Sequence, residues 1–483
     1  MAESHDLSSP GFSHTVAPAA VLIAAVVACT VASLVTYWPR LHDYFVLDDF
    51  TWLRAVSNHS FLTVMYRAFT FPEPAWDDEV TFFWRPLVDL YFYAAQPVGL
   101  RPTAYHLFNF LLHGAVGGLG IFFIWRLTNH LAAAAVSGLL FVMAPTYDFA
   151  VTWISQVSEL FGAVFILGVL VTYHAYLVAE RHRSMLKWAT AGIALLAVLS
   201  KESAIIVLPL LAALAIAVPP ERRRRSWAEI AWSLAPLFVL GAVFSTVMIV
   251  HQHQIDAGTF EIGPHMFRNV RDYLEWMVLP FDPRSYTLAR SLLAGAFIMA
   301  GVLSVVLRQR ALAFLFVWTI IALMPFSGFV FGIEFRYAYL ATLPLAAFVV
   351  VGVFTLVEAV PRGNRSLVYG AVAAVFVTAL IVTPMRTQDF QGWIVFQSQG
   401  YEGMVHGVRS VCGDMPPGTE LFLKNVPYYD LFGNSTPAAV SIFYDDVHAY
   451  VVDEYPGLIA FIEDKCALEY DSAIGQYVRV TEF

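Results

Sequence analysis

Charge is scarce in this chain: of 483 residues only 13% are Asp, Glu, Lys or Arg, while 58% are hydrophobic. A soluble domain carries about a quarter charged residues, so this balance indicates an integral membrane protein. Mean hydropathy, at +0.64, agrees. Basic excess is also missing. The formal charge is −9, and Lys and Arg stand singly or in short clusters instead of forming the concentrated basic face that a phosphate backbone requires, so no nucleic-acid partner is expected. Cysteine is limited to Cys29, Cys412 and Cys466, too few for a pairing to follow from the count. No clear internal repeat of the apolar segments is visible, which weighs against a secondary transporter. The opening residues 1–15 lack the Lys or Arg of a signal-peptide n-region, and the apolar run Val16–Trp38 is too long for an h-region, so a permanent first helix is expected.

Aromatics are plentiful, at 15%, and Trp38, Trp125, Trp188, Trp227 and Trp318 fall near segment ends, where indole rings anchor at headgroups. Apolar runs place further spans at 105–127, 131–150, 151–179, 188–199, 204–218, 228–250, 291–307, 311–326, 338–357 and 367–384. The expectation is a polytopic all-α bundle of about eleven transmembrane helices with a small C-terminal α/β domain. Alternate connections differ in basic content: one set holds Arg126, Arg181, Arg183, Lys187, Arg222 to Arg225, Arg308, Arg310, Arg362 and Arg365. That set is assigned to the cytoplasm. Residues 1–15 then form a cytoplasmic tail, 16–384 the membrane domain with an outer loop at 39–104, and 385–483 an extracytoplasmic domain.

The last stretch reads as helix from Gln388 to Cys412, then strands at Glu420–Val426, Ala449–Val452 and Gln476–Thr481, with turn signals at Pro416-Pro417-Gly418 and Gly433-Asn434. If it lies outside, Cys412 and Cys466 form a bridge or remain two buried thiols; both readings stay open.

Polar groups at the outward edges of the spans are the functional candidates, because charge beside lipid is costly to keep. The loop after the first span opens Tyr44-Phe45-Val46-Leu47-Asp48-Asp49-Phe50 and continues to Trp84-Arg85-Pro86-Leu87. Either Asp48 and Asp49 serve a site or they are acids in a solvated loop. His106, Asn109 and His113 form one helical stripe, more consistent with interhelical hydrogen bonding than with a metal, for which no further ligand is evident. Glu159 enters an otherwise apolar helix, Lys201-Glu202 fills a tight outer turn, where the two charges also suffice to neutralise each other, and Glu334-Phe335-Arg336-Tyr337 leads into another span. Arg85, Lys201 and Arg336 thus put three cations on the face bearing the acids.

One carboxylate base, several cations and a wall of lipid suit a polyprenyl-phosphate sugar. Displacement at the anomeric carbon expels a phosphate that gains negative charge, which Arg and Lys stabilise. Phosphate leaves without a second acid, so one Asp suffices to take the proton of an attacking hydroxyl, with inversion.

These residues resemble the GT-C glycosyltransferases, in the branch with protein O-mannosyltransferases, lipid A aminoarabinose transferases and TPR-bearing transmembrane O-mannosyltransferases. The likeness rests on Leu47-Asp48-Asp49-Phe50, Trp84-Arg85-Pro86-Leu87, His106 to His113, Ser158-Glu159-Leu160, Ser200-Lys201-Glu202-Ser203-Ala204-Ile205 and Arg336-Tyr337-Ala338-Tyr339-Leu340, and covers most of 16–356. It implies Asp48 as base, Asp49 as its positioning partner, and Lys201 and Arg336, with Arg85, on the donor phosphate; His106, Asn109, His113, Glu159, Glu202, Glu334 and Tyr337 would support the site. Its partners would be a polyprenyl-phosphate sugar donor, a protein, glycan or lipid acceptor, and the bilayer. No TPR array follows the spans, so the acceptor is not inherited. No separated Asp-x-Asp pair occurs in the first loop, so no obligatory metal is expected, although Asp48 and Asp49 offer oxygens to a divalent cation. A transporter and a noncatalytic lipid-linked-glycan-binding protein are the alternative functions.

Overall fold

The computed structural model describes residues 17–57, 59–70, 84–252, 260–278, 287–390, 392–426, 435–444, 447–456, 459 and 462–481. The opening tail and the Gly433-Asn434 turn lie outside the described residues.

Helix α1 (Pro18–Tyr37) packs along α5 (Pro102–Thr128) through glycines. A Cβ on Gly114 would stand 2.5 Å from the Thr30 Cα, and one on Gly118 2.5 Å from the Val26 Cα. Only hydrogen at those positions, one helical turn apart, lets the two backbones approach. The opposite face of α1 presents Ile23, Val27, Val31 and Val35, all exposed, as an apolar stripe suited to lipid. Between α1 and α5 run three short helices, α2 (Asp48–Val56), α3 (Phe61–Thr70) and α4 (Pro86–Ala95).

Next, α6 (Leu131–Met143) stops at Pro145, and the chain bends by 48° into α7 (Asp148–Thr152). A 3-10 turn, Ile154–Gln156, leads directly into α8 (Val157–Val178). Helices α9 (Arg183–Ser200) and α10 (Val207–Ala217) are joined by another 3-10 turn at Glu202–Ile206. The bundle continues with α11 (Trp227–Gln252), the amphipathic α12 (His265–Val278), α13 (Thr287–Val306), α14 (Arg310–Ser327), α15 (Tyr339–Glu358) and α16 (Arg362–Phe390).

Among the described residues eight helices are long and apolar enough to cross a membrane, or nine if α6 and α7 count as one broken span. The expected eleven is therefore not reached. All eleven stretches are helical, but α9 opens on Arg183 and Lys187, and α10 is an apolar helix of only 11 residues. An apolar run in sequence does not distinguish a crossing from a half-length helix buried against its neighbours.

Helix α16 continues through residue 384 to Phe390, past the point where composition changes. Then come α17 (Gly392–Cys412), β1 (Glu420–Lys424), α18 (Ser435–Ser441), β2 (His448–Val452), β3 (Lys465–Asp471) and β4 (Gln476–Arg479). The sheet order is β2-β1-β3-β4, parallel except for β3 against β4. Parallel neighbours require crossovers, and α18 supplies the one from β1 to β2. Cys412, at the end of α17, is disulfide-bonded to Cys466 in β3. One hydrophobic core joins this domain to the loop after α1, with Phe45, Phe50, Trp52, Tyr401, Leu421 and Cys466 among its members.

Candidate active site

The acidic doublet sits on a tight turn. The Asp49 N–H donates to the Val46 carbonyl at 3.0 Å, and Leu47 takes φ 49°, ψ −127°. These are the angles of the first corner of a type II′ turn, a place for glycine. Holding a leucine there costs on the order of 1–3 kcal/mol. Helix α2 starts at once, so both carboxylates stand in its first turn, where backbone N–H groups favour negative charge.

The two acids are not equivalent. Asp49 is buried; its Oδ2 accepts from the Val46 N–H at 2.9 Å and its Oδ1 from the Ser155 N–H at 2.7 Å. Burial and the neighbouring Asp48 charge push its pKa well above the carboxylate range, against those two backbone bonds. Asp48 is half-buried, and its Oδ1 accepts from the Ser155 hydroxyl at 2.7 Å. Burial raises its pKa too, while the Ser155 bond and the charges of Arg336 and Arg85 pull it back down. Asp49 therefore builds the turn, while the Asp48 carboxylate makes one side-chain bond among the described residues, to Ser155.

Ser155 reaches both acids because the chain breaks at Pro145 and re-forms as short turns. Asn109 braces that segment: its amide lies 3.3 to 3.4 Å from the carbonyls of Val151, Trp153 and Ile154. His106 contacts the Asp43 carbonyl at 2.9 Å, and His113 bridges the Tyr339 hydroxyl (2.8 Å) and the Val142 carbonyl (3.0 Å). These three residues tie segments together around the site instead of meeting in it.

The three cations differ in their commitments. Arg85 grips Glu202 with two nitrogens, at 2.7 and 3.0 Å, and contacts the Ser158 hydroxyl at 3.4 Å. Lys201 is buried in an ion pair with Glu159, its ammonium 5.0 Å from the Tyr337 ring centre and 5.6 Å from that of Phe326. Arg336 stacks its guanidinium 4.8 Å from Trp153 and 4.9 Å from Tyr337, and donates to the Tyr337 hydroxyl at 3.3 Å. Its nearest carboxylate in an ion pair, the exposed Glu334, lies at 3.9 Å, and its buried Nε has no hydrogen-bond partner among the described residues. Of the three, Arg336 has the most capacity left for an anion.

Beside this cluster an apolar cavity of about 250 Å³ lies between α4 and the start of α5, lined by Tyr91, Ala95, Val98, Ala104, Tyr105 and Phe108. Tyr105 stacks edge-on with Phe45, 5.5 Å away, which places the cavity next to the acidic turn. Among the described residues no group of three or more His, Cys, Asp or Glu is arranged to hold a metal ion. Ser155, Trp153 and Tyr401 are the site-forming residues that sequence reasoning missed. A serine or an aromatic in a turn carries no periodic signal, a buried tyrosine on a helix such as Tyr401 reads as ordinary core, and only the pairing across the fold reveals them.

No family model matches the sequence, nor does any curated protein. Solved structures of two proteins align along most of this chain. The oligosaccharyltransferase of Archaeoglobus fulgidus in its apo form is 14% identical over 87% of this chain, with a TM-score of 0.47, and this chain spans 64% of its length. ArnT from Cupriavidus metallidurans in the apo state is 13% identical over 95% of this chain and 94% of its own, with a TM-score of 0.47. The same protein bound to undecaprenyl phosphate is 12% identical over 94% and 93%, again at 0.47. At this distance the matches assign neither a family nor a site residue to this chain.

Proposed function

We propose that the protein is a membrane glycosyltransferase of the GT-C type, moving a monosaccharide from a polyprenyl-phosphate donor to an acceptor hydroxyl at the extracytoplasmic membrane face, with inversion. The observation that carries this reading is the division of labour in the doublet: Asp49 is consumed by backbone bonds, while Asp48 stays half-open with Arg336 close enough to act on its charge. In the reaction the acceptor oxygen forms a bond to the anomeric carbon as the carbon–phosphate oxygen bond breaks. Asp48 takes the hydroxyl proton, and the departing phosphate carries the bonding electron pair. A carboxylate with a raised pKa is a stronger base than a free one and suits that step. Arg336, held rigidly on Trp153, supports charge growing on the leaving phosphate. Arg85 and Lys201 contribute through the frame that their carboxylate partners complete. The apolar cavity beside the turn offers a wall for the first part of a prenyl chain. In this reading Arg336, and not a metal, supports the phosphate, while the Asp48 and Asp49 oxygens remain available to a divalent cation.

The test is product analysis with the purified protein and a panel of polyprenyl-phosphate sugars. Asp48→Asn is expected to abolish transfer with an unchanged thermal midpoint, because Asn keeps the acceptor oxygen for Ser155 but cannot take a proton. Transfer at the wild-type rate by that variant removes Asp48 as the base.

A further inference from the structure

The turn that aims Asp48 is held from the other end of the chain. Leu47 occupies a backbone conformation that glycine adopts freely and leucine does not, so something outside the turn must maintain it. Helix α17 is in position to do so. The Tyr401 ring is fully buried and lies 5.1 Å from Phe50, in the first turn of α2. One turn earlier on α17, Ser398 Oγ accepts from the Tyr44 N–H at 2.6 Å, so the helix grips the loop on both sides of Leu47. The far end of α17 is tied to the sheet through Cys412–Cys466.

We infer that Ser398 and Tyr401 are positioning residues for Asp48, and that the C-terminal domain holds the acidic turn in the conformation that aims its carboxylate. The inference rests on Asp48 being the base of sugar transfer. On this account the sheet domain acts directly on the chemistry of the membrane site, independently of any part it has in binding an acceptor.

The experiment uses full-length protein in nanodiscs and compares wild type, Ser398→Ala, Leu47→Gly and the double variant. One readout is turnover of a polyprenyl-phosphate sugar on which wild type is active. The other, independent of activity, is amide hydrogen exchange in a peptide spanning residues 44–53. Ser398→Ala removes only the hydroxyl that accepts from the Tyr44 N–H; it should lower kcat by about tenfold or more with donor KM within about twofold, and speed exchange of the Asp49 amide by about tenfold. Adding Leu47→Gly should restore both, because glycine takes the turn unaided. Unchanged kcat and exchange in Ser398→Ala, or failure of glycine to restore them, overturns the inference. If wild type transfers no sugar from any donor, the functional reading falls while exchange still decides the clamp.

Discussion

Replacing Lys201 by Met tests whether this cation is frame or phosphate ligand. Its side chain is 2% exposed and that of its partner Glu159 6%, so neither charge has water to fall back on. Removing one member of a buried pair leaves the other uncompensated and costs about 3–5 kcal/mol. Met keeps most of the apolar stem but loses the charge and the cation–π contact with Tyr337 at 5.0 Å. Glu159→Gln alone should cost a similar amount by stranding the ammonium. In Lys201→Met/Glu159→Gln neither charge of this pair is left stranded, so the double variant should be destabilised by less than the sum of the singles, with a coupling of about 3 kcal/mol. Independent sites add to within about 0.5 kcal/mol, so the two outcomes are well separated. The measurement is a double-mutant cycle on unfolding free energy by steric trapping in bicelles. Additive singles refute the reasoning. So does a Lys201→Met variant that is stable to within about 1 kcal/mol and instead raises donor KM, which is the behaviour of a phosphate ligand and not of a frame residue.

Arg336→Gln should move the acid limb of the kcat/KM profile to higher pH. Arg336 is one of the groups holding the Asp48 pKa down against burial, so its loss lets that pKa rise and leaves less carboxylate ionised at a given acidic pH. A profile lowered uniformly without displacement would show that Arg336 does not act on Asp48. The Cys412–Cys466 bridge closes a loop with a sequence separation of 54, and opening it should cost the C-terminal domain about 4 kcal/mol on the chain-entropy account. That loss is read as a lower thermal midpoint in Cys412→Ser/Cys466→Ser or in reductant, and an unchanged midpoint contradicts it.

Membrane class, the succession of helices and three of the four strands were legible because each depends on local pattern. Strand β3 was not: Lys-Cys-Ala-Leu-Glu-Tyr-Asp has charge at both ends and residues as suited to helix as to sheet. It is a strand because β1 and β4 flank it. Helices α9 and α10 account for the difference in count, because α9 opens on charged residues and α10 has only 11 residues. At the site, scarcity of charge pointed to the acids and cations, since each such residue in an apolar chain needs a reason to be there. Their partners were hidden. Ser155 lies 107 residues from Asp48 and Ser398 lies 354 from Tyr44, and a serine is unusual neither in a turn nor on a helix. The strain at Leu47 was equally invisible, because leucine is the wrong residue for its turn and local preference argues against the conformation it holds.

What sequence could least supply is the partition of charge. Three cations on one face suggest a strongly positive pocket, yet Arg85 and Lys201 each bring a carboxylate of their own, Glu202 and Glu159, which offsets part of their charge. The two pairs also tie the start of α4, α8 and the turn before α10 to one another. Arg336, with Glu334 at 3.9 Å and exposed, is the cation left loosely compensated beside Asp48. In the proposed reaction one negative charge is neutralised at Asp48 as another grows on the phosphate, so the pocket's total changes little while its distribution shifts. Cations paired with carboxylates around a single loosely compensated arginine suit that event better than a cluster of free cations. A cluster would bind the donor's ground-state phosphate tightly without favouring the moment at which it leaves.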